Sequence, residues 1–243
     1  AADVEGFIVN SKGEFVQKFS SFHNGMGAVS FIPQASETYR ARITKPEGIL
    51  NEYELPDVLK NGYSVSVLNQ EEKSLQLSVY SWQAEELNLL VQSRGQLSFA
   101  KSFKAQKGNN ILTLNTTEFP IGVSQITLFD AKGIARSERL IFINKAQQLN
   151  VAISSTKKRY QPREKVSLDV RVTDQNGLPV PGHFALSVTD DNLLSFADDK
   201  QGNILAKMLL EPELKQKVEE PNFYFDAKEP KADKALDYLL LTA

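Results

Sequence analysis

The sequence contains no cysteine among its 243 residues. This absence excludes disulfide bonds, a cysteine nucleophile, thiolate metal sites and a cysteine-derived thioester within the chain. The sequence also lacks an apolar run near the roughly 18 residues that a membrane-spanning helix requires. With 28 Lys and Arg against 30 Asp and Glu, the net charge is −2. The chain therefore lacks the basic field that is typical of nucleic-acid-binding proteins.

Motifs that carry chemistry are also scarce. Only two histidines occur, His23 in a Gly-rich turn and His183 much later in the chain. There is no Gly-x-Ser-x-Gly elbow, phosphate-binding loop or dinucleotide fingerprint. We therefore predict no catalytic residues, no metal site and no cofactor, and we expect that the chain is not an enzyme.

One turn signal recurs three times between apolar segments. An Asn or Asp is followed three positions later by Gly, at Asn10–Gly13, Asp130–Gly133 and Asp174–Gly177. The Asn or Asp side chain bonds to the backbone of its own turn, and Gly adopts positive φ without steric cost. Each copy predicts a β-hairpin, and three copies predict repeated β-modules.

Alternation of apolar and polar residues dominates the middle of the chain. Leu87, Leu89 and Val91, for example, alternate with polar residues. Such alternation places one face of a strand in a core and the other in water. Residues 61–146 hold about seven segments of this kind, the number typical of a small antiparallel sandwich.

The last part of the sequence changes character. Strand-like alternation continues as far as the segment from Phe184 to Asp190. Helix formers dominate after about residue 200, and Leu236 and Leu240 recur at helical spacing. The pattern is that of the first half of a sandwich, interrupted by a partly helical segment.

An ordered set of motifs marks the beginning of this last block. It reads Tyr160-x-Pro162-x-Glu164-x-Val166, then Asp174-x-x-Gly177, Pro179, Pro181 and Val188-x-Asp190. The set resembles the macroglobulin (MG) domain of the α2-macroglobulin superfamily. In that family a Tyr-x-Pro-Gly segment opens the domain, and here Arg163 stands in place of the usual Gly.

Other stretches resemble parts of bacterial relatives in the same superfamily. Residues 119–130 together with 138–142 resemble the closing strands of one module, and residues 6–43 resemble the later strands of another. Residues 209–242 are similar to an insertion in large bacterial cell-envelope proteins that carry MG-like domains, the MG2 type included.

The predicted fold class is all-β: tandem antiparallel β-sandwich domains of the macroglobulin or immunoglobulin-like type, with a short partly helical insertion near the C-terminus. We assign a partial module to residues 1–60, a complete one to 61–146 and an incomplete third to 147–243, with the insertion at about 200–243. The sequence begins without Met and ends within an apolar helical pattern. We expect it to be a piece of a longer protein.

The resemblance implies a structural and interaction role. Full α2-macroglobulins trap proteases after cleavage of a bait region, often with a thioester, but this chain has no Cys and no obvious bait segment. We therefore expect a non-catalytic fragment of a large secreted or envelope-attached bacterial protein. Its expected location is the periplasm, the outer membrane or the cell exterior. Its expected partners are proteins, with proteases reached only through the larger parent as part of an inhibitor scaffold.

Three consecutive aromatic residues support an alternative function. Phe223, Tyr224 and Phe225 lie among Lys and Glu. Neighbouring residues of a strand face opposite ways, so a strand here would expose at least one ring as an interaction surface. The alternative is a glycan- or peptide-binding module of an outer-membrane uptake assembly. The competing interpretation is that the segment folds over a sandwich as a lid and buries the rings.

Overall fold

The computed structural model describes residues 3–190, 192 and 202–243. It divides the chain into two units: unit 1 comprises Ala1–Ile143 and Asp199–Ala243, and unit 2 comprises Asn144–Asp198. Antiparallel β-strands make up most of the regular structure, and the helices lie near the C-terminus. The predicted all-β fold class is confirmed.

The first part of unit 1 forms a four-stranded antiparallel sheet. Its strands are β1 (Glu5–Asn10), β2 (Phe15–Ser20), β3 (Tyr39–Lys45) and β4 (Glu52–Glu54). They lie in the order β2-β1-β3-β4. Ile8 and Val9 of β1 and Tyr39 of β3 are its buried apolar side chains.

The following seven strands of unit 1 form the sandwich that the alternation predicts. They are β5 (Tyr63–Gln70), β6 (Ser74–Ser81), β7 (Glu85–Ser93), β8 (Gln96–Ala105), β9 (Gly108–Asn115), β10 (Gly122–Phe129) and β11 (Ala135–Ile143). One sheet has the order β5-β6-β9 and the other β11-β10-β7-β8. The arrangement is an immunoglobulin-like sandwich in which the fourth strand joins the third rather than the opposite sheet.

The core between the two sheets is aliphatic. Leu75, Leu77 and Val79 of β6 face Leu87 and Leu89 of β7 in a single cluster of fully buried side chains. Each such side chain contributes about 1.5–3 kcal/mol relative to an exposed position. The apolar members of the alternating strands thus hold the two sheets together.

The outer face of the larger sheet carries a second apolar layer. Ile141 and Ile143 of β11 enter the sandwich core, whereas Phe142 packs in a separate cluster with the C-terminal segment. A strand buried on both faces loses its alternation, which explains the continuous apolar run at the end of β11. The C-terminal segment contains helices α1 (Ile204–Leu209) and α2 (Ala232–Thr242) and 3-10 turns at Glu211–Glu213 and Phe223–Phe225.

This packing differs from the sequence-based division into modules. The sequence places the helical insertion in the third module, 147–243, whereas residues 199–243 belong to unit 1. The physical reason is the apolar outer face of β10 and β11, where Val123 and Phe142 would otherwise contact water. Within the described residues, neither helix has the length and hydropathy that a membrane span requires.

All three predicted turns form with the same hydrogen bonds. The side-chain oxygens of Asn10, Asp130 and Asp174 accept backbone N–H bonds of 2.8–3.1 Å from the residues two and four positions later. The Gly of each turn has φ of 81°, 74° and 79° in chain order. The first two turns connect paired strands, and the third leads to a single bridge between Thr173 and Pro179.

The described residues of unit 2 form one antiparallel pair, β12 (Asn150–Ser155) and β13 (Leu168–Thr173). The loop that connects them contains a tight turn in which the Glu164 backbone N–H donates to the Gln161 carbonyl at 3.0 Å. Pro162 and Arg163 are its central residues, and Arg163 has φ of 63°. Proline followed by a residue with positive φ is the pattern of a type II turn, which favours Gly at the second central position.

The alternation from Phe184 to Asp190 predicts a further strand in this unit, and that prediction is wrong. These residues lie outside any strand, and Phe184 and Val188 are exposed. Alternation provides an apolar face, but a strand also requires a neighbour for its backbone hydrogen bonds.

We expect Arg163→Gly to stabilise the β12–β13 pair by about 0.5–1 kcal/mol, because Gly adopts positive φ without the steric cost that Arg bears. Hydrogen exchange of the β12 and β13 backbone amides measures the effect as slower exchange. Arg163→Ala is the matched control, since it removes the same side chain but keeps Cβ. Equal exchange rates in the Gly and Ala variants would contradict the turn assignment.

Candidate functional site

The three aromatic residues singled out in the sequence lie on a 3-10 turn rather than on a strand. Tyr224 is 1% exposed, and Phe223 and Phe225 are half-buried. Phe225 packs edge-to-face on Phe142 of β11, with ring centroids 5.4 Å apart. One turn of 3-10 helix aims the middle ring into the apolar layer and leaves the outer two at its border. This geometry favours the lid interpretation, and the interaction surface stays a prediction.

His23 joins this aromatic cluster from the N-terminal sheet. It lies in a tight hairpin after β2, in which the Phe22 N–H donates to the Met26 carbonyl at 2.7 Å. Its imidazole stacks on the Phe223 ring at 3.9 Å with an interplanar angle of 10°, and meets Tyr224 edge-on at 5.7 Å. The cluster therefore joins the N-terminal sheet, the C-terminal segment and the sandwich within unit 1.

The surroundings of the cluster disfavour the charged forms of His23 and Tyr224. Burial lowers the pKa of His23, against the opposing influence of Glu220 and Glu229. The Nε2 atom of His23 is buried and has no hydrogen-bond partner among the described residues. Burial, together with nearby Glu219 and Glu220, raises the pKa of Tyr224 to about 12. Both side chains are thus held neutral near pH 7.

A second aromatic pair lies beside the cluster. The Phe22 and Tyr238 rings meet edge-to-face at 5.6 Å. The Lys234 ammonium lies 4.9 Å from the Phe22 centroid, and that of Lys231 lies 5.7 Å away. Cation–π contacts of this kind stabilise by about 0.5–1 kcal/mol at exposed sites. They attach α2 to the N-terminal hairpin.

The contacts of the cluster are packing contacts between rings. Among the described residues, no group of three or more His, Asp or Glu is placed to hold a metal ion. His183 belongs to unit 2 and His23 to unit 1. Sequence reasoning placed His23 on a turn but did not foresee its stacking on Phe223, because no sequence signal links two segments 200 positions apart.

Comparison with known proteins gives a weak structural similarity and no sequence match. No family model and no curated protein matches the chain. Among solved structures, the chain is similar to the native conformation of Escherichia coli alpha-2-macroglobulin, with 10% identity and a TM-score of 0.23. The match covers 72% of this chain and 15% of that protein, so the chain spans less than a sixth of its length. A superposition of this quality does not establish a shared fold.

Tyr224→Ala should lower the free energy of unfolding by about 3–5 kcal/mol, the range for removal of a large buried ring. Urea denaturation measures the loss. Tyr53→Ala is the matched control: Tyr53 is 50% exposed on β4, so its loss should cost less than about 1 kcal/mol. Wild-type stability of the Tyr224 variant would favour the interaction surface instead.

Stability should fall as the pH is lowered from about 7.5 to about 5.5. In the unfolded chain His23 binds a proton at its ordinary pKa of about 6.5, whereas the folded chain binds it only at lower pH. Between these two pKa values the unfolded state holds more protons, so acid favours unfolding. His23→Phe keeps a stacked ring without titration and should flatten the curve.

NMR titration of the His23 ring provides the direct measurement. Its pKa should lie below 6.5 in the wild type, and Phe223→Ala, which opens the imidazole to water, should raise it toward that value. An unchanged pH dependence in His23→Phe would show that other groups cause the effect.

Proposed function

We propose that the chain is a non-catalytic structural and interaction fragment of a large secreted or envelope-attached bacterial protein of the α2-macroglobulin superfamily. In this role its β-modules space and support other parts of the parent and contact its protein partners. Contact with proteases belongs to the parent, since no residue here can form a thioester. The proposed location is the periplasm, the outer membrane or the cell exterior.

The backbone at Arg163 is the observation that carries the proposal. The family pattern has Gly at this position, and the chain adopts φ of 63° there, in the left-handed region that Gly prefers. Pro162 precedes it and the turn is closed by the Glu164 N–H. The turn therefore keeps the conformation that the motif requires even though the residue differs. The backbone conformation at this position therefore supports the resemblance, although the residue type differs.

The order of β-units along the chain gives further support. A four-stranded sheet precedes a seven-stranded sandwich in unit 1, and unit 2 begins with another antiparallel pair. The same Asx-stabilised turn occurs in each of these three parts. Successive β-units with one kind of hairpin are typical of proteins that space or bind other molecules.

The coding sequence on both sides of residues 1–243 tests this proposal. We expect a secretory leader upstream and further β-modules in the same reading frame. A bait-like loop and a Cys-Gly-Glu-Gln-type thioester downstream would make these units part of a protease trap. Modules that lead to a receptor or plug domain would place them in an uptake assembly.

Fractionation of the native host with an antibody against residues 61–146 provides the second readout. The protein should appear with a periplasmic or outer-membrane marker or in the medium, and not with a cytosolic marker. A leaderless cytosolic protein, or turnover of a substrate that a point mutation in this chain abolishes, would overturn the proposal.

A further inference from the structure

A groove of about 440 Å³ lies on the outer face of the larger sheet in unit 1. Its floor is formed by β7, β10 and β11, and its walls by the Arg94–Gly95 turn and by residues 213–215 and Ala243 of the C-terminal segment. Its volume lies within the range of about 300–1,000 Å³ that small-molecule sites occupy. The groove does not involve the aromatic cluster described above.

Two amide side chains lie side by side on the floor. Gln92 of β7 and Gln125 of β10 are directly opposite in the antiparallel register, and Leu140 of β11 is the next residue in the same row. Side chains at such paired positions start about 4.5–5.5 Å apart. The row therefore presents two primary amides, with donors and acceptors, next to an apolar surface.

Most polar side chains that line the groove have no hydrogen-bond or ion-pair partner among the described residues. Gln92, Gln125, Glu138, Glu213 and Lys215 make no side-chain hydrogen bond or ion pair with any described residue, and Arg94 makes one long bond of 3.4 Å to the Ile121 carbonyl. Polar side chains without partners are also what a solvent-exposed sheet face shows on any single strand. Here, however, these five groups and Arg94 surround one concave volume.

The backbone of the two inner strands of the floor, β7 and β10, is not available to a ligand. β10 lies between β7 and β11, and β7 lies between β8 and β10, so the ladders use the peptide groups of both strands. A peptide that adds as a strand needs a free edge, and of the three floor strands only β11 lies at an edge of the sheet. Recognition over β7 and β10 must therefore come from side chains, and amides, carboxylates and a guanidinium each bond to two adjacent polar atoms.

The charged side chains that line the groove have a net charge of zero. Arg94 and Lys215 provide two positive groups, and Glu138 and Glu213 provide two negative ones. The sum of these side-chain charges is zero, so the lining has no net charge that favours an anion over a cation. Val123, Leu140 and Leu214 add an apolar surface, suited to the C–H face of a ring. Adjacent hydroxyl groups, which both donate and accept, match the remaining groups.

We propose that this groove binds a neutral, hydroxyl-rich ligand, namely a short uncharged oligosaccharide. Gln92, Gln125 and Glu138 bind its hydroxyls from the floor, and the charged side chains of the walls bind others. This binding function goes beyond the scaffold role and does not depend on it. Failure to bind sugar would leave the proposed parentage unchanged.

Isothermal titration of the full chain tests the inference. The probes are maltotriose, cellotriose, mannotriose and xylotriose, with trigalacturonate as the anionic arm and trialanine as the peptide arm. We expect saturable binding of at least one neutral trisaccharide. The double variant Gln92→Leu/Gln125→Leu should weaken that binding about tenfold or more, because both amides lose their hydrogen bonds.

Gln76→Leu is the matched control, since Gln76 lies on β6 in the opposite sheet, and it should leave binding unchanged. Equal melting temperatures of the three proteins exclude an effect through folding. Absence of binding by all four neutral sugars up to about 10 mM would overturn the inference. So would equal affinity in the double variant, or a preference for trigalacturonate or trialanine.

Discussion

The need to cover both faces of the β11-β10-β7-β8 sheet is the constraint on which the rest of unit 1 depends. The β11 residues Ile141 and Ile143 face the β5-β6-β9 sheet, whereas Phe142 faces the other way. Because an exposed apolar face is costly in water, the outer side requires a second layer. The C-terminal segment provides it, and the aromatic cluster, the contact of His23 and one wall of the groove all follow from its position.

Local chemistry made part of this fold predictable. The side-chain oxygens of Asn10, Asp130 and Asp174 each close their own turn, so the turn depends on residues within four positions. Alternation likewise indicates the inner face of a strand without reference to its partners. The seven strands of the sandwich and the all-β class could therefore be predicted from the sequence.

Features that depend on distant partners could not be predicted in this way. The apolar spacing of Leu236 and Leu240 indicates that α2 is buried on one side, but not that β10 and β11 cover it. Phe184 to Asp190 alternates like a strand and lies outside any ladder, because no pairing partner is specified by its own pattern. The aromatic run at 223–225 suits either an exposed strand or a lid that buries its rings, and the 3-10 turn that buries Tyr224 depends on the layer beneath it. In each case the missing information is the identity of the neighbour.

The border of the outer layer explains why the groove lies where it does. Along β10 the outward residues change from apolar Val123, which the C-terminal segment buries, to Gln125, which it leaves half-buried in the groove. A hydrophobic cover has no reason to extend over an amide, because burying an unpaired amide costs about 1–3 kcal/mol. The cover therefore stops at the Gln92–Gln125 row, and its edge becomes a wall. The same balance between apolar and polar outward residues both anchors the segment and creates a concave surface with polar groups that the protein does not use.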